Sequence, residues 1–400
     1  MARSTAHRIS RPAPGTSAGG PRRARQAPTS SALPWLAPQL APARQTGTAR
    51  TPATLDDRAL VELPKAHLHL HLVGSMRPST LAEWCRRDGR PFPDLDLDAG
   101  GWPRFNAIYE AASASVRRED DLRRLVDELV EDQARDGARW VEITADPSNY
   151  HGRIGSAAHV LAILLDAGRA ASARHGVAVG WVICANRSRR PDQALELAAL
   201  AAANASDEVV GFGLANDERA APTAEFSRAF GIAREAGLAA VPHAGELCGA
   251  SNVAEAVHLL GATRVGHGVR ALEDEAVLSL LVERQVTLEV CPTSNLALGV
   301  YEADWAAAGP EGAHPVERLR AAGVKVCLNA DDPLLFGASL LDEYRFAQDA
   351  LGWGPTGLAS SAAASIDGAS CPERQRRRLR AELACWAAAH GASLDGAPGF

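Results

Sequence analysis

Lysine is almost missing from this sequence of 400 residues: Lys65 and Lys325 stand against forty arginines, a skew that reads as coding bias rather than a binding surface. Clustered cysteines are missing too. Cys85, Cys184, Cys248, Cys291, Cys327, Cys371 and Cys385 are odd in number and widely spread, with no C-x-x-C pair. A disulfide framework or an all-cysteine zinc site needs clustered pairs, so reduced thiols in a cytoplasmic protein are expected. No run approaches the roughly 18 consecutive apolar residues of a membrane span, which speaks against a bilayer role. Neither G-x-G-x-x-G nor G-x-x-x-x-G-K-[ST] occurs at a strand–helix turn, so phosphate cradles of those kinds are not expected. Acidic residues are absent from residues 1–54, which hold eight arginines. Set those eight charges aside from the net −6 and the remainder carries −14. So acidic a body is a poor polyanion binder, and no nucleic-acid partner is expected.

Residues 1–54 are rich in Ala, Pro, Ser, Gly, Arg and Thr without sustained periodicity, the composition of disorder. They are read as a disordered tail or an upstream-misassigned start, in preference to an organelle transit peptide. A secretory signal would need an apolar core that is not there. Residues 55–400 form the expected folded domain. Their length suits one α/β barrel of roughly 250 residues or more with added helices. Hydrophobic residues make up 46% of the chain and charged ones 22%, ordinary for a globular protein.

From residue 60 onward, short apolar runs alternate with amphipathic stretches. The runs are Ala66–Leu72, Trp140–Thr144, Ala178–Cys184, Val209–Leu214, Leu238–Pro242, Arg264–Gly266, Val286–Cys291 and Lys325–Leu328. Helical stretches lie between them: Asp120–Asp136, Ala157–His175, Pro191–Ala203, Ala224–Ala236, Asn252–Leu260 and Asp274–Arg284. This alternation implies parallel strands joined by crossover helices, in an open doubly wound sheet or a closed TIM (β/α)8 barrel. Polar residues decide between the two. They appear abruptly after five different runs, as His69/His71, Asn216-Asp217-Glu218, His243-Ala-Gly-Glu246, His267 and Asp331-Asp332. An open sheet concentrates its site at one switch point, whereas a barrel draws residues from strand ends around the whole circle. The barrel is the expectation.

His69 and His71 are two apart in a strand and therefore share a face. His67 has the same parity but lies earlier, nearer the closed end. A single strand histidine is more often a core residue than a ligand; two at a strand end, with His243 and Asp331 at others, make a ligand set. Three imidazoles and a carboxylate suit zinc with a place left for water, whose pKa a metal lowers toward neutrality. Glu246 and His267 remain at the same rim for orienting water and moving protons. Taken singly, Glu246 and Asp331 could instead be helix caps.

The segments Lys65-Ala-His-Leu-His69-Leu-His71-Leu-Val-Gly74, His243-Ala-Gly-Glu246, Val265-Gly-His267-Gly and Asn329-Ala-Asp331-Asp332-Pro resemble, in order, the motifs of the adenosine deaminase family. Leu214-Ala-Asn216-Asp217-Glu218, Cys291-Pro-Thr-Ser-Asn295 and His314-Pro315 are similar to lesser family segments, and the resemblance spans roughly residues 60–350. It implies one zinc ion per chain with His69, His71, His243 and Asp331 as ligands. It further implies that Glu246 protonates purine N1 during attack at C6, that His267 holds the attacking oxygen, and that Asp332 binds N7. A two-metal relative would carry a carbamylated lysine, commonly on the fourth strand, and Val209–Leu214 has none. The unrelated His/Cys/Cys deaminases need H-x-E and P-C-x-x-C, which are absent.

Two positions depart from the family. Val73 stands where an aspartate that binds the ribose 5′-hydroxyl is usual, and valine accepts no hydrogen bond. Leaving that hydroxyl buried without a partner costs about 1–3 kcal/mol. Asn216 stands where glycine is usual, near the purine N3 edge. Both changes count against plain adenosine and toward a 5′-modified nucleoside. The tract around Gly74 also resembles an actinobacterial branch, some of whose members act on 6-amino-6-deoxyfutalosine, a menaquinone precursor with an aromatic carboxylate there. On that reading Arg77 or Arg187 meets the carboxylate, while Gly74 and Asn216 contact substrate. The partner is then a small purine nucleoside. Deamination of free adenine and a non-catalytic binding barrel are the alternatives.

Overall fold

A computed structural model describes residues 54–97, 100–301 and 313–394. All eight expected strands form: β1 Lys65–His71, β2 Ala138–Ala145, β3 Ala178–Asn186, β4 Val209–Ala215, β5 Ala239–Ala244, β6 Arg264–His267, β7 Thr287–Val290 and β8 Lys325–Leu328. They lie side by side in chain order, every neighbouring pair parallel. The chain just beyond β8 returns to β1: His71 N–H donates to Asp331 O at 3.0 Å, and Asp331 N–H donates to His69 O at 3.2 Å. The circle closes as a TIM barrel, and the open-sheet alternative falls. The tail expected at residues 1–54 lies, Thr54 aside, outside the described residues.

The helices follow the pattern of their apolar faces. Ala157–His175 and Pro191–Ala203 fall where expected, the first capped by the Ser156 side chain and ended by Gly176. The expected helix Asn252–Leu260 is instead the helix Ala250–Glu255 followed by a wider turn over Ala256–Leu260. Helices Pro78–Arg87 and Gly101–Ser113 lie between β1 and β2, and Leu340–Asp349, Pro355–Gly368 and Glu373–His390 follow β8. Among the described residues no helix is long and apolar enough to cross a membrane. All seven cysteines are free thiols, five of them buried.

One expectation about β1 fails. Its pairing with β2 shifts register between His67 and Leu70, so His67 and His69 lose the common face that strict alternation would give them. Asn329 fills the irregularity, its Oδ1 accepting from both Leu68 N–H and His69 N–H at 2.9 and 3.1 Å. His67 turns to Gln133 on the helix Glu119–Arg135, at 2.7 Å, and accepts from Ala330 N–H. It is a satisfied core histidine, and burial lowers its pKa to about 4.

Candidate active site

The polar residues at the C-terminal strand ends converge. His71 Nε2 and His243 Nε2 are 3.1 Å apart, and Asp331 Oδ1 lies 3.2 Å from both His69 Nε2 and His71 Nε2. All four side chains are buried. Two imidazole nitrogens at that separation have no water between them, and His69 Nε2 makes no proper hydrogen bond. Atoms coordinating one zinc-sized ion about 2.0–2.1 Å away would lie roughly 3.3 Å from one another. The donor set, its spacing and its unpartnered nitrogen therefore fit a single divalent cation. His267 also brings a ligand atom within 4.8 Å of those of His69, His243 and Asp331, and Asp332 does so toward His71 and Asp331.

Neighbouring residues fix these groups. His69 Nδ1 faces Glu289 Oε2 at 3.3 Å, which leaves Nε2 as the ligand nitrogen. Ser294 donates to Asp331 Oδ2 at 2.7 Å, and the Asn295 amide sits 3.0 Å from His267 Nδ1. The free Nε2 of His267 lies 3.6 Å from Glu246 Oε1. Glu218 clamps the loop carrying Glu246, its carboxylate accepting the N–H groups of Gly245, Glu246, Leu247 and Cys248 at 2.5–3.0 Å. Burial, with the charge of Asp331 next, holds the Glu246 carboxyl well above the usual carboxylate range. Three residues here have left-handed backbones, Asn216, His267 and Asp331, at φ 79°, 61° and 61°. Such strain outside glycine clusters at functional sites. It also explains how Asn216 stands where glycine is usual, since asparagine tolerates this conformation best among the rest.

Beyond the strand-end cluster opens a cavity. His71, His243, Glu246, His267, Asp331 and Asp332 line one side. Val73 and an aromatic wall of Trp102, Phe105 and Tyr109, from the helix Gly101–Ser113, line another. The ends of β2, β3 and β4 contribute Asp146, Asn186 and Asn216. Among the described residues Asp332 Oδ1 has no hydrogen-bond partner, and burial raises the Asp332 pKa well above normal.

Three expected contacts need correction. Arg187 is buried away from the cavity, donating to Ala221 O, Thr223 Oγ1 and His243 O, so it props the β5 end instead of meeting substrate. Arg77 pairs with Asp132 and Glu131 on a neighbouring helix. Gly74 does not line the cavity; a Cβ there would fall 1.6 Å from Asp332 Oδ1, so the glycine makes room for that carboxylate. Asn216 does line it, though its amide already bonds Ser188 Oγ and Asn106. Glu289, Ser294 and the aromatic wall carried no assigned role in the sequence. An acid inside the apolar run Val286–Cys291 was the available signal for the first, since such acids are buried only with partners.

The adenosine deaminase family model matches residues 64–386. A Streptomyces virginiae protein named "Putative adenosine/adenine deaminase" is 46% identical over 340 residues, 82% of this chain and 98% of the relative. The crystal structure of adenine deaminase from Arthrobacter aurescens superposes with a TM-score of 0.72 at 30% identity, covering 81% of this chain and 99% of that one. An amidohydrolase from Burkholderia ambifaria, solved with bound zinc, gives 0.75 at 27% identity, covering 88% and 99%. With the strand-end cluster, the buried acid and the cavity in one barrel, the chain belongs to the adenosine deaminase family and is a metal-dependent enzyme that hydrolytically deaminates a purine.

Proposed function

We propose that the substrate is an adenosine-type nucleoside with a group larger than hydroxyl at its 5′ position, such as 6-amino-6-deoxyfutalosine. The observation carrying this reading is the lining of the cavity: Val73 where a 5′-hydroxyl partner is usual, with the rings of Trp102, Phe105 and Tyr109 in the same pocket. A nucleoside-sized ligand buries most of its surface in a pocket of this kind, where apolar walls surround a few polar groups. Neither Arg77 nor Arg187 is free to meet a carboxylate, so the aromatic wall is what favours an extended 5′ group.

One zinc ion per chain is proposed, held by His69, His71, His243 and Asp331; when bound it supplies an activated water at neutral pH. Glu246, protonated in its buried site, donates to ring N1 and makes C6 electrophilic. His267 orients the attacking oxygen through Nε2 while Asn295 fixes its ring. Asp332, protonated because it is buried, donates to the lone pair of N7 and holds the ring plane. Asn216 borders the N3 edge. Addition of water at C6 and departure of the 6-amino group as ammonia complete the reaction.

The test compares kcat/KM for 6-amino-6-deoxyfutalosine, methylthioadenosine, adenosine and adenine. A 5′-modified nucleoside is expected to exceed adenosine at least tenfold; adenosine ahead by that margin overturns the proposal. The name of the Arthrobacter neighbour favours a second reading, deamination of free adenine, which requires adenine to lead the panel. Metal analysis should return one zinc per chain, and two would overturn the single-ion assignment.

A further inference from the structure

Across the cavity from the metal cluster, the end of β2 carries an acid with no assigned task. Asp146 directly follows β2, lines the cavity, and has a side chain only 9% exposed. Its two oxygens differ. Oδ1 caps the short turn Pro147–Tyr150, accepting from Ser148 N–H at 2.9 Å and from Ser148 Oγ at 2.5 Å. Among the described residues Oδ2 is buried with no hydrogen-bond partner, and the nearest cation is Arg189 Nη1 at 3.8 Å. That guanidinium is itself held by the Asn149 side chain.

An unpaired carboxylate oxygen inside a protein is expensive, and native structures keep one chiefly where a missing partner fills the role. The strands run in order around the circle, so β2 lies opposite β6, which carries His267. A purine with its 6-amino end toward His267 and Glu246 directs its far edge, with whatever N9 carries, toward the β2 and β3 ends. We propose that Asp146 is a specificity-determining residue whose Oδ2 accepts a hydrogen bond from a secondary hydroxyl of the nucleoside sugar. The assignment rests on the nucleoside reading above, and it concerns the 2′ or 3′ hydroxyl, leaving the 5′ position to Val73 and the aromatic wall. Only one oxygen is available, since Oδ1 is engaged by Ser148, so one hydroxyl is bound and not a diol pair. A pocket built around such an acceptor discriminates strongly against ligands that lack the donor.

Product affinities test this without turnover. Calorimetry on metal-loaded wild type, Asp146→Ala and Asp146→Asn would measure inosine, 2′-deoxyinosine, 3′-deoxyinosine and hypoxanthine. Wild type should bind inosine about 10–100-fold more tightly than one deoxy form. Asp146→Ala should lose that preference while holding hypoxanthine within about twofold of wild type. Asp146→Asn, which keeps an oxygen to cap the turn, should recover part of the inosine affinity. A purely structural role predicts equal losses on inosine and hypoxanthine, and that outcome overturns the proposal. So does a wild type that distinguishes neither deoxy form from inosine. Failure of every 6-aminopurine to be deaminated would sink the proposed reaction instead, and the binding comparison would still decide the role of Asp146.

Discussion

Two clusters of buried charge share one barrel and are built on opposite principles. Deeper in the barrel, Arg264 is enclosed by Glu142 and Glu289, with further bonds to Gly368 O and Ser370 Oγ. Glu142 also accepts from Trp140 Nε1 and Ser370 N–H, so each charge there is matched. At the rim the opposite holds. Imidazole nitrogens face one another at 3.1 Å, the Asp332 and Asp146 carboxylates each keep a bare oxygen, and three non-glycine residues are held in left-handed conformations. A matched network specifies structure, whereas an unmatched and strained one waits for a ligand. Glu289 belongs to both, one oxygen on Arg264 Nε at 2.5 Å and the other on His69 Nδ1 at 3.3 Å.

Metal removal should break the contrast most completely. Chelation is expected to abolish deamination and to lower the melting temperature, because four converging donors then lose the cation that offsets their repulsion. A ligand present at about a thousand times its Kd stabilises by roughly 4 kcal/mol, so re-addition of zinc should restore both readouts. An unchanged melting curve after verified metal loss would show that the rim is satisfied without an ion. Glu246→Gln is next. It keeps shape and removes the proton donor, so kcat should fall about 10²–10⁴-fold with a melting temperature near wild type. Ammonia release at more than a tenth of the wild-type rate would remove Glu246 from the proton-donor role.

The matched cluster should respond in the other currency, stability. Arg264→Met leaves Glu142 and Glu289 buried without their counter-charge, and breaking a buried network this way costs about 3–5 kcal/mol. Urea unfolding measures the loss, and a change below about 1 kcal/mol would contradict the assignment of this cluster as structural. Glu289→Gln should show both effects together. Residues that orient a metal-binding histidine typically contribute 10–100-fold in affinity, so zinc binding should weaken by that factor while unfolding also becomes easier. Glu142→Gln, which touches only the inner cluster, should lower stability and leave zinc affinity within about twofold.

The difference between the clusters also explains what could be read from the sequence. The convergence of His69, His71, His243, Glu246, His267, Asp331 and Asp332 was legible because a barrel gathers its strand ends, where polar residues break an apolar run. The eight strands were legible for the same reason, each run being short and bounded. Arg187 misled because it too follows a strand end, yet its guanidinium turns to the backbone carbonyls of Ala221 and of His243 on β5. His67 was set apart from the ligand set, but its turn away from the face of His69 was not legible, since nothing in the local sequence announces the register shift that Asn329 fills from more than two hundred residues away. The aromatic wall was hidden because Gly101–Ser113 is an insertion outside the strand–helix repeat. Asp146 directly follows a strand end, but its significance lies in an oxygen without a hydrogen-bond partner among the described residues, which only the folded structure reveals.

The smallest expected effect comes from a third buried charge, at the entrance to β1. Lys65 is fully buried, and its ammonium donates to Leu60 O at 2.8 Å and Leu63 O at 3.3 Å. Burial lowers its pKa to about 7, although Asp136 favours the charged form and the Tyr344 ring lies 5.3 Å away; Arg139 opposes the charge. The folded state thus binds fewer protons here than the unfolded chain, whose lysine titrates near 10.5. The Lys65 contribution to stability therefore rises with pH between about 7 and 10.5 and is flat below that window. Asp136, itself raised by burial to about 6, titrates below the window and does not mask it. Comparing wild type with Lys65→Met cancels the titrations that are not coupled to Lys65, and Lys65→Met/Asp136→Asn against Asp136→Asn removes the Asp136 coupling as well. Urea unfolding at a series of pH values from neutrality upward should show wild type gaining on the variant by at most about 1.4 kcal/mol per pH unit. Parallel curves would mean that Lys65 stays protonated on folding, held by Asp136 and the two carbonyls, and would place it with the matched cluster around Arg264.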